Sequence, residues 1–172
     1  MLSLILFASL ACLLGIGLAT SHFRAHNLTT GTWEQLIARI QPVELEGIRA
    51  VAMDHLYFET GRPQRGPEEM WSLLGGLKGL QRMNENARVM IALAAYAELQ
   101  NNHQGLILAD RMRRDGLALQ RAVRSITLAG WFQAGVAHST LHLQQAADSY
   151  QQMKQRLPAL YEMSHAQALP AW

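Results

Sequence analysis

The sequence is short of the residues and motifs from which most catalytic sites are built. Its 172 residues include a single cysteine, Cys12, so the chain cannot close a disulfide within itself. It contains neither the Gly-x-Ser-x-Gly turn of serine hydrolases nor the Gly-x-Gly-x-x-Gly turn of dinucleotide-binding folds. We therefore expect a protein that is not an enzyme.

Charge is also scarce, since only 16% of the residues are Asp, Glu, Lys or Arg. The formal net charge is +2 and the pI is near 9.0. Nucleic-acid-binding proteins usually concentrate more positive charge than this. We expect no nucleic-acid partner.

Charge is missing altogether from Leu2 to Ala19, which also lacks proline. As a helix this run would rise about 27 Å, and extension to Phe23 brings it to about 33 Å, enough for a bilayer core of about 30 Å. A cleaved signal peptide would carry a basic segment, but no Lys or Arg precedes Arg24. The prediction is an all-α chain with a single N-terminal transmembrane helix, followed by a helical hairpin and bundle. Its segments are a transmembrane anchor (1–23), a juxtamembrane connector with the first helical hairpin (24–66), and a helical bundle domain (67–172).

Small residues gather on one side of this predicted anchor. They are Ala8, Ala11, Cys12, Gly15 and Ala19. Small residues at four-residue spacing let a second helix approach closely, so this face predicts packing against other membrane subunits. Arg24 and Arg39 follow the anchor, and the positive-inside rule then favours a C-terminal domain on the cytoplasmic side.

Helix signals resume at Thr32, which with Gln35 fits a capping box. Pro42 should end that helix, and Pro67 stands where the first residue of another is expected. The spacing predicts a helix from Pro67 to about Gln81, in which three close glycines indicate either a break or contact with another backbone. The next stretch, Asn84 to Gln100, is apolar on all sides and predicts a central helix, ending in a turn at 101–105.

The stretch from Asp110 to Arg124 is the most charged part of the chain. Asp110 with Arg114, and Arg111 with Asp115, have the i, i+4 spacing of helical ion pairs. The simplest interpretation is a solvated helix face. Anionic lipid headgroups or an acidic partner are the alternatives for its five arginines, which are Arg111, Arg113, Arg114, Arg121 and Arg124.

The last third of the chain resembles a degenerate tetratricopeptide repeat. The matching residues are Trp131, Ala134, Gly135 and His138, then Ala146, Tyr150 and Pro158. Three features depart from the family pattern: Ala134 replaces Leu, His138 replaces Tyr, and the second half arrives one residue early. The resemblance covers about 30 residues and implies a protein-binding helical adaptor.

Two pairs of histidines have a spacing that places both rings on one side of a helix, His22 with His26 and His138 with His142. The second pair is a candidate metal site, although the zinc-protease motif would put Glu where Ser139 stands. His22 is a candidate axial ligand for a haem or chlorophyll-type pigment at the membrane interface. Polar packing is the simpler explanation for both pairs, so no cofactor is predicted.

Together these patterns favour a non-catalytic, membrane-anchored accessory or scaffold subunit of a larger membrane complex. The rival hypotheses are a haem-, pigment- or metal-binding subunit of an electron-transfer or photosynthetic complex, and a tetratricopeptide-like adaptor.

Overall fold

The computed structural model describes residues 31–54, 65–99, 103–131 and 140–165. These ranges contain only helices and the turns between them, which confirms the predicted all-α class. The helices are α1 (Trp33–Ile37), α2 (Leu45–Ala52), α3 (Pro67–Leu73), α4 (Gly76–Leu99), α5 (His103–Trp131) and α6 (Thr140–His165).

The predicted anchor, residues 1–23, lies outside the described residues, and with it lie its small-residue face and His22. Within the four described ranges, no helix combines the length and the apolar character needed to cross a bilayer.

Helix α1 begins as the sequence predicts. The Thr32 hydroxyl accepts a hydrogen bond from the Gln35 amide, and the Gln35 side chain accepts one from the Thr32 amide, so the capping box is complete. Trp33 and Leu36 are buried, and the helix ends before Pro42. This short helix packs against α4, which orders the chain where it enters the bundle.

The predicted helix from Pro67 to Gln81 is divided in two. Pro67 does start α3, but the chain turns at Leu74 and Gly75 before α4 begins at Gly76. Gly75 and Gly76 both have positive φ, 75° and 61°, which residues with a Cβ adopt only at a cost. The glycines therefore mark a break between two helices.

The core lies among α4, α5 and α6, which pack against one another. Only residues 100–102 separate α4 from α5, so these two packed helices run antiparallel. Their facing side chains are mostly Leu, Met and Ala. The largest ones that are fully buried include Leu80, Met83, Met90, Leu93, Met112, Leu119, Leu143 and Met153. The stretch predicted to be central, Asn84–Gln100, is buried or half-buried from Asn86 to Glu98, whereas Glu85 and Leu99 are exposed.

Two helix boundaries differ from the sequence prediction. The predicted turn at 101–105 is wrong in extent, because α5 already begins at His103 and Gly105 is buried within it. Proline lacks a backbone N–H and usually ends a helix, so the sequence predicts that the last long helix ends at Leu157; helix α6 instead continues through Pro158 to His165. Leu160 is fully buried and keeps this segment on the bundle.

The short helices α2 and α3 cover α6. Helix α2 packs mainly on α6, and α3 contacts both α2 and α6. A Cβ placed on Gly47 would lie 2.0 Å from the carbonyl oxygen of Leu73, so the two backbones touch at this glycine. Helix α2, which precedes Gly66, and helix α3, which follows it, therefore pack together on the same bundle.

Candidate interaction surface

The buried polar groups of the bundle mainly hold its own chain segments together. Asn86, fully buried on α4, accepts a hydrogen bond from the Gln41 amide through Oδ1 (2.8 Å) and donates through Nδ2 to the Gln41 carbonyl (2.8 Å). The same Nδ2 donates to the Tyr150 hydroxyl on α6 (2.9 Å). Burial raises the pKa of Tyr150, and the hydrogen bond from Asn86 offsets part of that rise. This network fixes the connection between α1 and α2. Both polar atoms of the Asn86 side chain have their hydrogen-bond partners within it.

A second buried group, Asp54, joins three separate segments. Its carboxylate forms an ion pair with the Arg65 guanidinium (2.9 Å) and accepts a hydrogen bond from the Arg65 amide (3.3 Å to Oδ2). Gln144 on α6 donates a further bond to Oδ2 (3.4 Å). A buried carboxylate needs such partners to remain in the interior. We assign this group a structural role.

An aromatic cluster closes the end of the bundle where the chain enters it. The Trp33 ring lies 5.4 Å from the Tyr161 ring and 6.1 Å from the Tyr96 ring, measured between centroids. His165 packs against both Trp33 and Tyr161, and its Nδ1 lies 3.0 Å from the Tyr161 carbonyl oxygen. These contacts join α1 to the C-terminal ends of α4 and α6. They also place His165 in a packing role that sequence spacing did not indicate.

Only one histidine of the candidate metal pair lies among the described residues. His138 lies outside the described residues, whereas His142 lies in the first turn of α6, where its Nδ1 is buried without a hydrogen-bond partner. Among the described side chains, no group of three or more His, Cys, Asp or Glu is arranged to hold a metal ion. The pair therefore stays a prediction.

One side of α5 faces outward along most of the helix. Every third or fourth residue along it is exposed, in alternating steps of four and three residues from 110 to 128. This spacing follows one face of an α-helix, and the opposite face carries buried residues such as Met112 and Leu119. We call this side the outer face of α5; it consists of Ile107, Asp110, Arg111, Arg114, Leu117, Arg121, Arg124 and Leu128.

Four of the five arginines singled out by the sequence share this outer face. Arg113 is the exception, because it leans toward α4 and forms an ion pair with Glu98 (2.5 Å). Arg114 pairs with Asp110 as the i, i+4 spacing predicts, and the Arg121 Nε donates to the Leu117 carbonyl (3.3 Å). The face thus carries four guanidinium groups and one carboxylate.

The second predicted ion pair, Arg111 with Asp115, is wrong. Asp115 instead pairs across the bundle with Arg156 on α6. Burial, and to a smaller degree the positive charge of Arg111, lower the pKa of Arg156. Because Asp115 is turned toward α6, its charge does not balance the arginines of the outer face.

Sequence reasoning also missed a shallow groove between α2 and α6. Its volume is about 410 Å³, and its walls include Arg49, Lys154 and the partly buried Gln151. The Gln151 Oε1 atom is buried without a hydrogen-bond partner. Residues from two helices about 100 positions apart form this groove, so no local pattern could have shown it.

Comparison of the chain with models of known protein families, with curated proteins and with solved structures finds no match in any of the three.

Proposed function

We propose that this chain is a membrane-anchored, non-catalytic accessory or scaffold subunit of a larger membrane complex. The observation that carries the proposal is the outer face of α5, a long exposed stripe of arginine and aliphatic side chains on an otherwise well-packed bundle. Side chains of this kind on a folded surface mark contact sites more often than isolated exposed apolar residues do.

The interior of the bundle supports a scaffold role. Two fully buried polar side chains bond to other parts of the chain. Asn86 bonds to Gln41 and Tyr150, and Asp54 bonds to Arg65 and Gln144. Such networks hold segments in one arrangement. A rigid bundle of this kind presents a fixed surface to a partner.

The anchor supplies the second half of the proposal. Residues Leu2 to Ala19 contain no charge, and their small residues share one side if the segment is helical. Partner subunits would pack on that side, and the helical domain would stand beside the bilayer. The two arginines that follow the anchor, Arg24 and Arg39, favour a domain on the cytoplasmic side.

Gentle detergent extraction, followed by native mass measurement, tests the proposal. We expect the full chain to co-purify with other membrane proteins, and Gly15→Leu to release them while the chain stays in the membrane fraction. Gly17→Leu is the matched control, because Gly17 lies off the small-residue face and should leave the complex intact. A stable monomer of 19.2 kDa without co-purifying subunits would contradict the proposal.

His142 favours one second candidate, a metal- or pigment-binding subunit. Its buried Nδ1 has no hydrogen-bond partner, and a nitrogen in that position is able to act as a ligand. Metal analysis and an absorption spectrum of the purified chain distinguish the two functions. A colourless, metal-free protein removes the second candidate.

A further inference from the structure

We propose that the outer face of α5 lies on the anionic lipid headgroups of the membrane that holds the anchor. The inference rests on the proposed function for the presence of that anchor, and it adds which surface of the domain faces the bilayer. Four properties of the face carry it: its shape, its mixture of side chains, its charge and its position relative to the anchor.

The face is long. From Ile107 to Leu128 it covers 21 residue steps, which corresponds to about 32 Å of helix. Its members recur in steps of three and four residues, so they remain on one side along that whole length. A continuous stripe of this length suits an extended flat surface better than it suits a compact pocket on a partner.

The mixture of side chains fits a headgroup layer. Ile107, Leu117 and Leu128 are 51%, 48% and 56% exposed, and arginines stand between them. In a dry seam with another helix these arginines would lose their water at a high cost. At a bilayer surface the aliphatic groups enter the acyl boundary while the guanidinium groups stay at the level of the phosphates.

The charge of the face has the sign that anionic lipids require. Four arginines and one aspartate, Asp110, give a net charge of +3, obtained as four minus one. Arg114 and Asp110 form an exposed i, i+4 pair, which water and salt screen strongly. Attraction to a charged bilayer decays over about 8 Å at physiological ionic strength, so the helix has to lie directly on the surface.

Helix α1 lies at the end of the bundle where α5 begins. Trp33 packs against Tyr96 and Tyr161, so the chain enters the bundle at the end where α4 stops and α5 starts. Residues 24–32 separate the predicted anchor from α1 and, whatever their conformation, bridge at most about 32 Å. The N-terminal half of α5 is therefore held within reach of the membrane. The length of the stripe and its mixture of side chains favour lipid over an acidic protein.

Depth-dependent fluorescence quenching of the full chain in vesicles tests the inference. Cys12 is replaced by Ala, and one cysteine is placed at Leu117 and labelled with an environment-sensitive dye. A second variant carries the label at Leu45, an exposed position on α2, which packs on α6. Each variant is reconstituted in phosphatidylcholine vesicles with or without phosphatidylglycerol, and spin-labelled lipids serve as quenchers.

We expect the Leu117 label, but not the Leu45 label, to be quenched, and only when phosphatidylglycerol is present. The triple variant R114Q/R121Q/R124Q removes three positive charges that attract the face to an anionic surface. It should lower the ratio of domains lying on the bilayer to domains away from it on the order of a hundredfold. The triple variant K78Q/R82Q/K154Q removes the same charge from exposed positions elsewhere and should leave quenching unchanged.

Three results would overturn the inference. A Leu117 label that stays unquenched while the chain floats with the vesicles shows that the face meets something other than lipid, such as an acidic protein, and leaves the proposed anchor intact. Equal quenching at Leu45 and Leu117 shows that the domain has no preferred face toward the bilayer. Failure of the full chain to float with vesicles removes the anchor and the inference together.

Discussion

Helices α4 and α5 are neighbours of similar length, but they differ in how many of their side chains are exposed. Between Asn86 and Glu98, α4 has no fully exposed side chain, whereas α5 exposes one at nearly every turn. The difference separates two tasks within one bundle. Substitutions at the buried positions of α4 should be felt in folding, and substitutions on the outer face of α5 should leave folding untouched while they change binding.

The largest expected contrast comes from shortening one leucine on each helix. Leu93→Ala, at a fully buried position on α4, should lower the free energy of unfolding by about 2 to 5 kcal/mol, because it removes apolar contacts and leaves a cavity. Leu117→Ala, on the outer face of α5, should change it by less than about 0.5 kcal/mol. Urea denaturation followed by circular dichroism measures both. Similar losses in the two variants would contradict the division between the helices.

The next effect concerns the one amide buried on α4. Asn86→Ala should destabilise the protein by about 2 to 3 kcal/mol, because the amide and carbonyl of Gln41 lose their partners in a part-buried site. Glu85→Ala is the matched control, since Glu85 is exposed and accepts a hydrogen bond from the Gln41 side chain rather than from its backbone. The same denaturation experiment applies. Equal costs for the two variants would show that Asn86 has no special role.

A smaller effect depends on pH. The pKa of Tyr150 is raised above its ordinary value of 10.0 in the folded chain, so above pH 10 the unfolded chain releases this proton more readily than the folded one. This contribution to stability is complete below pH 10 and is lost as pH rises through the raised pKa. Tyr150→Phe should cost about 1 kcal/mol at neutral pH and make the alkaline loss shallower. If the variant kept the full alkaline loss, another group would be its cause.

The smallest effect tests charges on the inner and outer sides of α5. A double-mutant cycle between Asp115 and Arg156, both partly buried, should give a coupling of about 0.5 to 1 kcal/mol that weakens with salt. A cycle between Asp115 and Arg111, the pair that spacing predicted, should give less than about 0.3 kcal/mol. A reversal of this order would mean that Asp115 faces outward in solution.

Most signals that act within a few residues were read correctly from the sequence, although the Arg111–Asp115 spacing was not. The capping box at Thr32, the helix start at Pro67 and the Asp110–Arg114 pair each depend on groups at most four positions apart. The outer face of α5 was recognised as a charged stretch for the same reason. What the sequence did not show was that Arg113 leaves that face for Glu98.

Features that depend on distant residues were missed. The partner of Asp115 lies 41 residues further along the chain, and the partners of Asn86 lie 45 and 64 residues away. The continuation of α6 past Pro158 depends on burial of Leu160, which outweighs the local preference for a break. Tertiary packing determines each of these partners and the length of α6, and a local sequence pattern carries no information about tertiary packing.

The contacts between Asp54 and Arg65 have a practical consequence for handling the protein. Because the ion pair and the backbone hydrogen bond hold these two residues together, the ten positions between them begin and end at one place on the bundle. The entropy of closing a loop grows only slowly with its length. An affinity tag or a fluorescent module inserted between residues 55 and 64 should therefore leave the helical body as it is, and it would give a handle for isolating partners without altering the anchor or α5.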